Sequence, residues 1–248
     1  EMMAVHTDPT LSFPHGEIYD LREALSRIRI EGLFLDEAEL FSLSKLLDYA
    51  AQLERFFATL DKVKYPLLSS NLIASSPNSL IALIERILDR YGKMRDNASP
   101  ELARIRKEIS ASQGAVSRTL HAILRQAQAE GILDKDAAPT MREGRLVLPV
   151  PPAYKRKISG IVHDESATGK TVFIEPQQVV EANNRIREVE GEERRERIRI
   201  LMAITAEIRP EIPAISATED YLAEVDFLRA KALFALDIHA IVPELHNR

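Results

Sequence analysis

Between Ala138 and Pro176 the chain abandons helical spacing for short β-branched runs broken by glycine and proline, and the rest must be arranged around that interruption. Arg145-Leu146-Val147-Leu148 reads as one strand, Ile158 to Val162 as a second and Thr171 to Ile174 as a third. Glu143-Gly144 and Thr168-Gly169 supply glycine where a tight hairpin needs positive φ. Pro149, Pro151 and Pro152 have no N–H to donate to a ladder, which assigns them to an edge or a loop. Long helical patterns flank the interruption, from Pro100 to about Gly131 and from Pro176 to about Ile208. At 1.5 Å of rise per residue each spans about 45 Å. The sequence therefore predicts a mainly α protein, with a helical core and two long antiparallel helices carrying a small β-rich lobe.

The helical reading rests on caps and spacing. Asp36, with Glu39 three residues on, has the capping-box pattern, and Leu40, Leu43, Leu47, Ala50, Leu53, Phe57 and Leu60 follow at helical intervals. Ser76-Pro77 and Ser99-Pro100 each place a capping side chain before a proline at the first helical position. Leu102, Ile105, Ile109, Ser112, Val116, Leu120, Ile123 and Ala127 alternate by three and four, the spacing of a heptad seam. The expected partner seam is Ala182, Ile186, Val189, Ile200, Ile204 and Ile208. Residues 1 to 16 read as an irregular lead-in, Glu17 to Ile30 as a helix ended by Gly32, and Ala217 to Ala240 as a returning helix after Pro210 and Pro213. The expected divisions are a core of 1–98 with 211–248, a first long helix over 99–135, a lobe over 136–176 and a second long helix over 177–210. Glu190 to Arg199 mixes acids and bases so closely that a solvated face is the expectation.

Composition excludes several classes. The 248 residues contain no cysteine, so disulfides, thiolate metal sites and thiol nucleophiles are ruled out, which suits a reducing cytoplasmic setting. No apolar run approaches a membrane span, and no signal peptide precedes the first helix. A start at Glu1-Met2-Met3 and an end just after a helix suggest a segment of a longer protein. The net charge of −5 excludes a uniformly basic nucleic-acid binder but leaves room for a local basic patch.

Candidate chemistry is sparse. Gly169-Lys170-Thr171 invites a phosphate-loop reading, but that loop needs glycine where Asp164 stands and should open a helix, whereas this stretch runs into a strand. His163-Asp164-Glu165 lacks partners at metal-ligand spacing and reads as loop polarity. His6, His15, His121, His239 and His246 form no constellation, and Asn97-Ala98-Ser99 reads as a helix-entry turn rather than a glycosylation site. Arg142, Arg145, Lys155, Arg156, Lys157 and Lys170 are the more telling group, falling within 29 residues and opposed in that span by Glu143, Asp164 and Glu165. Cations on hairpin tips suit phosphate contacts that position a duplex without reading its sequence. Solubilising a small lobe is the competing explanation.

Some of these residues also form a recognisable order. Arg95-Asp96-Asn97-Ala98-Ser99-Pro100-Glu101-Leu102, Arg145 to Val150, Gly160-Ile161-Val162-His163-Asp164-Glu165-Ser166, Phe173-Ile174-Glu175-Pro176 and Asn183-Asn184 resemble the MutS family, in its second bacterial type, which lacks the mismatch-reading domain. The resemblance covers nearly the whole chain and is strongest from about 95 to 208. It implies a helical core, two lever helices and a clamp lobe, in a protein whose subunits pair and close their clamps on DNA. It implies ATP and Mg for the full-length protein, and a nuclease domain beyond, neither assignable to a residue here. The family's basic clamp maps onto the six cations above.

Three functions follow as expectations. The first is clamping of branched or duplex DNA through backbone contacts, in suppression of recombination. The second keeps the module but engages ribosomal RNA on stalled or collided ribosomes. The third is a coiled-coil module that contacts protein alone. Since no nucleophile–base pair, metal set or phosphate loop survives inspection, no enzyme activity is expected of this chain itself.

Overall fold

A computed structural model describes residues 1–70 and 77–240. The chain divides into two compact units, Glu1–Ala98 with Arg199–Arg248, and Ser99–Ile198.

In the first unit the organising element is helix α3 (Glu37–Thr59), and its start is the predicted capping box. Asp36 Oδ1 accepts from the Glu39 N–H at 2.8 Å, and Glu39 Oε2 accepts from the Asp36 N–H at 2.9 Å. The predicted stripe from Leu40 to Phe57 is fully buried. Around α3 pack the short α4 (Pro66–Ser70), α5 (Ser79–Ile87) and the long α8 (Ile212–Asp237). Helix α5 starts at Ser79, behind Asn78; the expected cap Ser76 lies outside the described residues.

Three local expectations are overturned in this unit. The lead-in contains helix α1 (Met2–Thr7), which buries Met2 and Val5 and packs on α8. The Glu1 carboxylate accepts the N–H groups of Leu67 and Leu68, which ties this stretch to α4. The helix expected from Glu17 shrinks to α2 (Arg22–Arg27), because the buried Glu219 carboxylate takes the Leu21 N–H at 2.8 Å and holds the preceding chain extended. Helix α8 begins five residues before Ala217, with Pro213 in its first turn, where a missing N–H costs nothing.

The second unit pairs α6 (Pro100–Ala129) with the described part of α7 (Gln177–Ile208) that falls within it, and adds a four-stranded antiparallel sheet. Ser99 caps α6 by accepting the Leu102 N–H at 2.9 Å. Leu102, Ile105, Val116, Leu120 and Ala127 are buried as the seam predicts, while Leu124 takes the buried position expected of Ile123. The charged run of α7 is not simply a solvated face. Glu193 receives Arg106 at 2.8 Å, Arg185 reaches Glu108 at 2.7 Å, and the buried Glu196 accepts the Ser99 hydroxyl at 2.5 Å. The pairings run in opposite sequence order on the two helices, so the helices are antiparallel.

The strands are β1 (Thr140–Arg142), β2 (Arg145–Val150), β3 (Gly160–Glu165) and β4 (Val172–Pro176), in the order β1-β2-β4-β3. Strand β1 had no β-branched run to announce it. The Glu143-Gly144 hairpin joins it to β2, both residues having positive φ, 48° and 72°. Pro149 sits inside β2 and opposite Phe173 of β4. Since β1 pairs only as far as Val147, that stretch of β2 has an open side, and the missing N–H breaks no bond. Leu148, Val150, Val172 and Ile174 of the sheet share one core with Val116, Leu120 and Leu124 of α6 and Val179 and Ile186 of α7.

Candidate nucleic-acid interface

At the centre of the β-lobe is a carboxylate with no access to water. Glu175 of β4 is fully buried, and four donor contacts converge on it. Arg145 Nη1 of β2 lies 2.8 Å from Oε1 and 3.0 Å from Oε2. Asn183 Nδ2 of α7 donates to Oε1 at 2.7 Å, and His163 Nε2 of β3 lies 2.6 Å from Oε2. Arg145 also donates to Asn184 Oδ1 at 2.7 Å. Burial pushes the Glu175 carboxyl up, but the bonds from Asn183, His163 and Arg145 outweigh it and hold the group below its ordinary range. An ionised carboxylate only accepts, so His163 carries its proton on Nε2.

This cluster explains why Arg145, His163, Glu175 and Asn183-Asn184 stand out in the sequence. Together they stitch β2, β3, β4 and α7 into one unit. The polar reading of His163 as a loop residue missed this role. Nothing in the sequence around His163 reveals its partner, which lies on a different strand. The contacts of Arg145, His163 and Asn183 with one buried carboxylate lock the lobe.

The six cations divide by environment. Arg145 is committed to Glu175 and Asn184. Arg142 lies 4.1 Å over the Phe173 ring and 3.3 Å from Asp164, which holds it along the sheet. Lys170 is exposed in the β3–β4 hairpin, beside a hollow of about 220 Å³ that Asp134 and Asp136 also line. Lys155, Arg156 and Lys157 share the exposure of Lys170, which likewise has no ion-pair partner among the described residues, and form a contiguous run. They follow the 3₁₀ turn Pro152–Tyr154 that links β2 to β3, all three are exposed, and none has an ion-pair partner among the described residues. Backbone bonds from Lys155 N to Pro152 O and from Lys157 N to Tyr154 O close the turn. The result is a fixed, uncompensated run of positive charge on an acidic chain.

Gly169-Lys170-Thr171 closes a hairpin, with Ser166 N bonded to Thr171 O at 2.8 Å, and opens no helix that could cradle phosphate. No group of acids and histidines suited to a metal occurs among the described residues, and none of their helices is long and apolar enough to cross a membrane.

The second unit thus combines an antiparallel helix pair with a four-stranded sheet, and Arg145, His163 and Asn183 meet on the Glu175 carboxylate. No family model matches the chain. Curated relatives do. The chain is 37% identical over 239 residues to Endonuclease MutS2 of Geobacillus sp. (strain WCH70), covering 95% of this chain and 30% of that protein. It is 35% identical over 244 residues to Endonuclease MutS2 of Acetivibrio thermocellus, covering 94% and 30%. To Endonuclease MutS2 of Gemmatimonas aurantiaca it is 36% identical over 233 residues, covering 92% and 28%. The chain is a MutS2-type segment, and it spans about 30% of the length of these relatives.

Proposed function

We propose that this chain is the DNA-gripping part of a MutS2-type protein, and that the Lys155-Arg156-Lys157 turn is its main contact with the phosphate backbone. The observation that carries this reading is the run of three exposed cations without carboxylate partners. Several other bases of the unit are matched to acids, as in Arg106–Glu193 and Arg185–Glu108. Cations left free on a rigid turn displace the counterions condensed on a nucleic acid, which gives binding without sequence preference and with steep salt dependence. Lys170 and Arg142 add to the same field at shorter reach.

In the whole protein two such subunits pair, and the α6–α7 pair acts as a lever between the ATPase domain and the lobe, so that nucleotide state sets how firmly branched or duplex DNA is held. Suppression of recombination is the role that fits a grip on branched DNA. ATP and Mg serve that distant domain, and any nuclease activity belongs beyond this segment. The ion pairs and the apolar seam joining α6 to α7 support the stiffness a lever needs.

The test is a fluorescence-anisotropy titration of the chain against a four-way junction, a duplex and a structured RNA across a salt series. Each phosphate neutralised adds about 0.9 to the slope of log affinity against log salt on duplex DNA. Changing Lys155, Arg156 and Lys157 together to Ala is expected to weaken binding to every DNA and to lower that slope by about 2–3. Unchanged affinity in that variant overturns the assignment, preference for the RNA moves the partner to the ribosome, and no binding at all supports a protein-only module.

A further inference from the structure

Among the described residues four Tyr and Phe side chains are exposed: Tyr91, Tyr154, Phe227 and Phe234. Two of them already carry a cation on the ring face, Tyr91 from Arg90 at 4.7 Å and Phe227 from Lys231 at 4.3 Å. Phe234 lies on α8, in the other unit from the basic turn. Tyr154 is different in each respect. The residue is 39% exposed and no cation among the described residues covers its ring. Its hydroxyl has no hydrogen-bond partner among the described residues. It directly precedes Lys155, Arg156 and Lys157, in the same closed turn.

The turn also holds the backbone that carries the ring. Pro151 and Pro152 fix the backbone before it, and Tyr154 N bonds to Pro151 O at 2.9 Å, while Tyr154 O accepts Lys157 N at 2.8 Å. An aromatic face with only two side-chain torsions, next to cations that hold a phosphate backbone, is the combination that binds unpaired nucleotides. The cations track the backbone and the ring stacks on a base whose own partner is absent. A base inside a continuous duplex offers no free face, so stacking separates the two kinds of DNA where charge alone does not.

We infer that Tyr154 is a stacking platform for an unpaired base, and that it gives the Lys155–Lys157 turn a preference for DNA with single-stranded gaps, flaps or junction openings over continuous duplex. The inference rests on the DNA-gripping reading above. It adds a specificity-determining residue, where that reading supplied only charge.

The experiment compares this chain with Tyr154→Ala, Tyr154→Trp and the triple alanine variant at Lys155, Arg156 and Lys157. The ligands are a continuous duplex and the same duplex with a three-nucleotide gap. Tyr154→Ala is expected to weaken gapped DNA about 5- to 100-fold, leave the duplex unchanged and keep the salt slope. The triple variant should weaken both ligands and flatten the slope. Tyr154→Trp should retain the preference. Because the chain has no other tryptophan, its emission reports on residue 154 alone, and gapped DNA should quench it while duplex does not. Equal loss on both ligands in Tyr154→Ala, or no loss on either, overturns the stacking role while leaving the charge-based grip standing. If the unaltered chain binds neither ligand, both readings fall together. Thermal melts of each variant separate a lost platform from a lost fold.

Discussion

Arg145 Nη1 sits 2.8 Å and 3.0 Å from the two oxygens of Glu175, and that carboxylate is fully buried. Such a pair is stable only while both partners are present, because either charge alone would be stranded in a medium that cannot solvate it. Glu175→Ala should therefore destabilise the second unit by about 3–5 kcal/mol, read as a lower urea midpoint. Arg145→Lys, with Glu175 intact, should also destabilise the unit, since an ammonium cannot reach both oxygens and Asn184 at once. A surface-like loss below about 1 kcal/mol would show that the lobe does not depend on the pair.

Acid should loosen the same site. Glu175 is pushed up by burial but pulled below its usual 4.5 by Asn183, His163 and Arg145. Its contribution is therefore complete above 4.5 and disappears as the pH falls through the lower folded value. Urea midpoints of the unaltered chain and of Glu175→Gln, measured from pH 7 to pH 3, should converge in that acid window. A constant gap between them would contradict the depressed value.

His6 should give the first unit a second pH dependence, in a higher window. Burial lowers its pKa first, and Arg229 and His15 lower it further; its Nε2 is buried without a partner. The protonated form is thus disfavoured in the folded chain. As pH drops below 6.5 the unfolded chain takes up the proton more readily, and stability declines down to the folded value. His6→Phe, which keeps a ring beside Phe13, should flatten that decline in a melting-temperature profile.

Ser99 joins a cap to a cross-helix bond. Its Oγ accepts the Leu102 N–H and donates to the buried Glu196 carboxylate at 2.5 Å. Ser99→Ala should cost about 1–2 kcal/mol. Ser99→Asp is ordinarily a neutral change at a cap, but here it sets a second carboxylate against Glu196. We expect it to be the worse of the two in chemical denaturation.

Gly160 tests how closely β3 approaches β4. A Cβ built there would fall 2.1 Å from the Glu175 carbonyl oxygen, so backbone must move. Gly160→Ala should cost about 1–3 kcal/mol and speed hydrogen exchange at the β3–β4 amides, with the α6 amides little affected.

What could be read from the residues alone was local. The Asp36–Glu39 box, the Ser99 cap and the Glu143-Gly144 hairpin each rest on groups within four residues of one another, so the type and order of residues determine them. The heptad spacing of α6 likewise determined which face is buried, because a regular helix converts spacing into direction. The basic character of the 155–157 turn was equally plain in the letters.

Tertiary structure decided what depends on distant partners. Helix α2 starts late because Glu219, far along the chain, takes the Leu21 N–H; α1 forms because α8 covers it. The charged run of α7 became a set of pairs only once α6 lay beside it. Most of all, the candidate site was sorted by packing. Six cations look alike in sequence, yet among the described residues Glu175 claims Arg145, Phe173 and Asp164 hold Arg142, and Lys170 and the run Lys155, Arg156 and Lys157 remain free. A side chain's charge is fixed by its covalent structure, but whether that charge is spent inside the protein or left for a ligand depends on which acid the fold brings within hydrogen-bond reach.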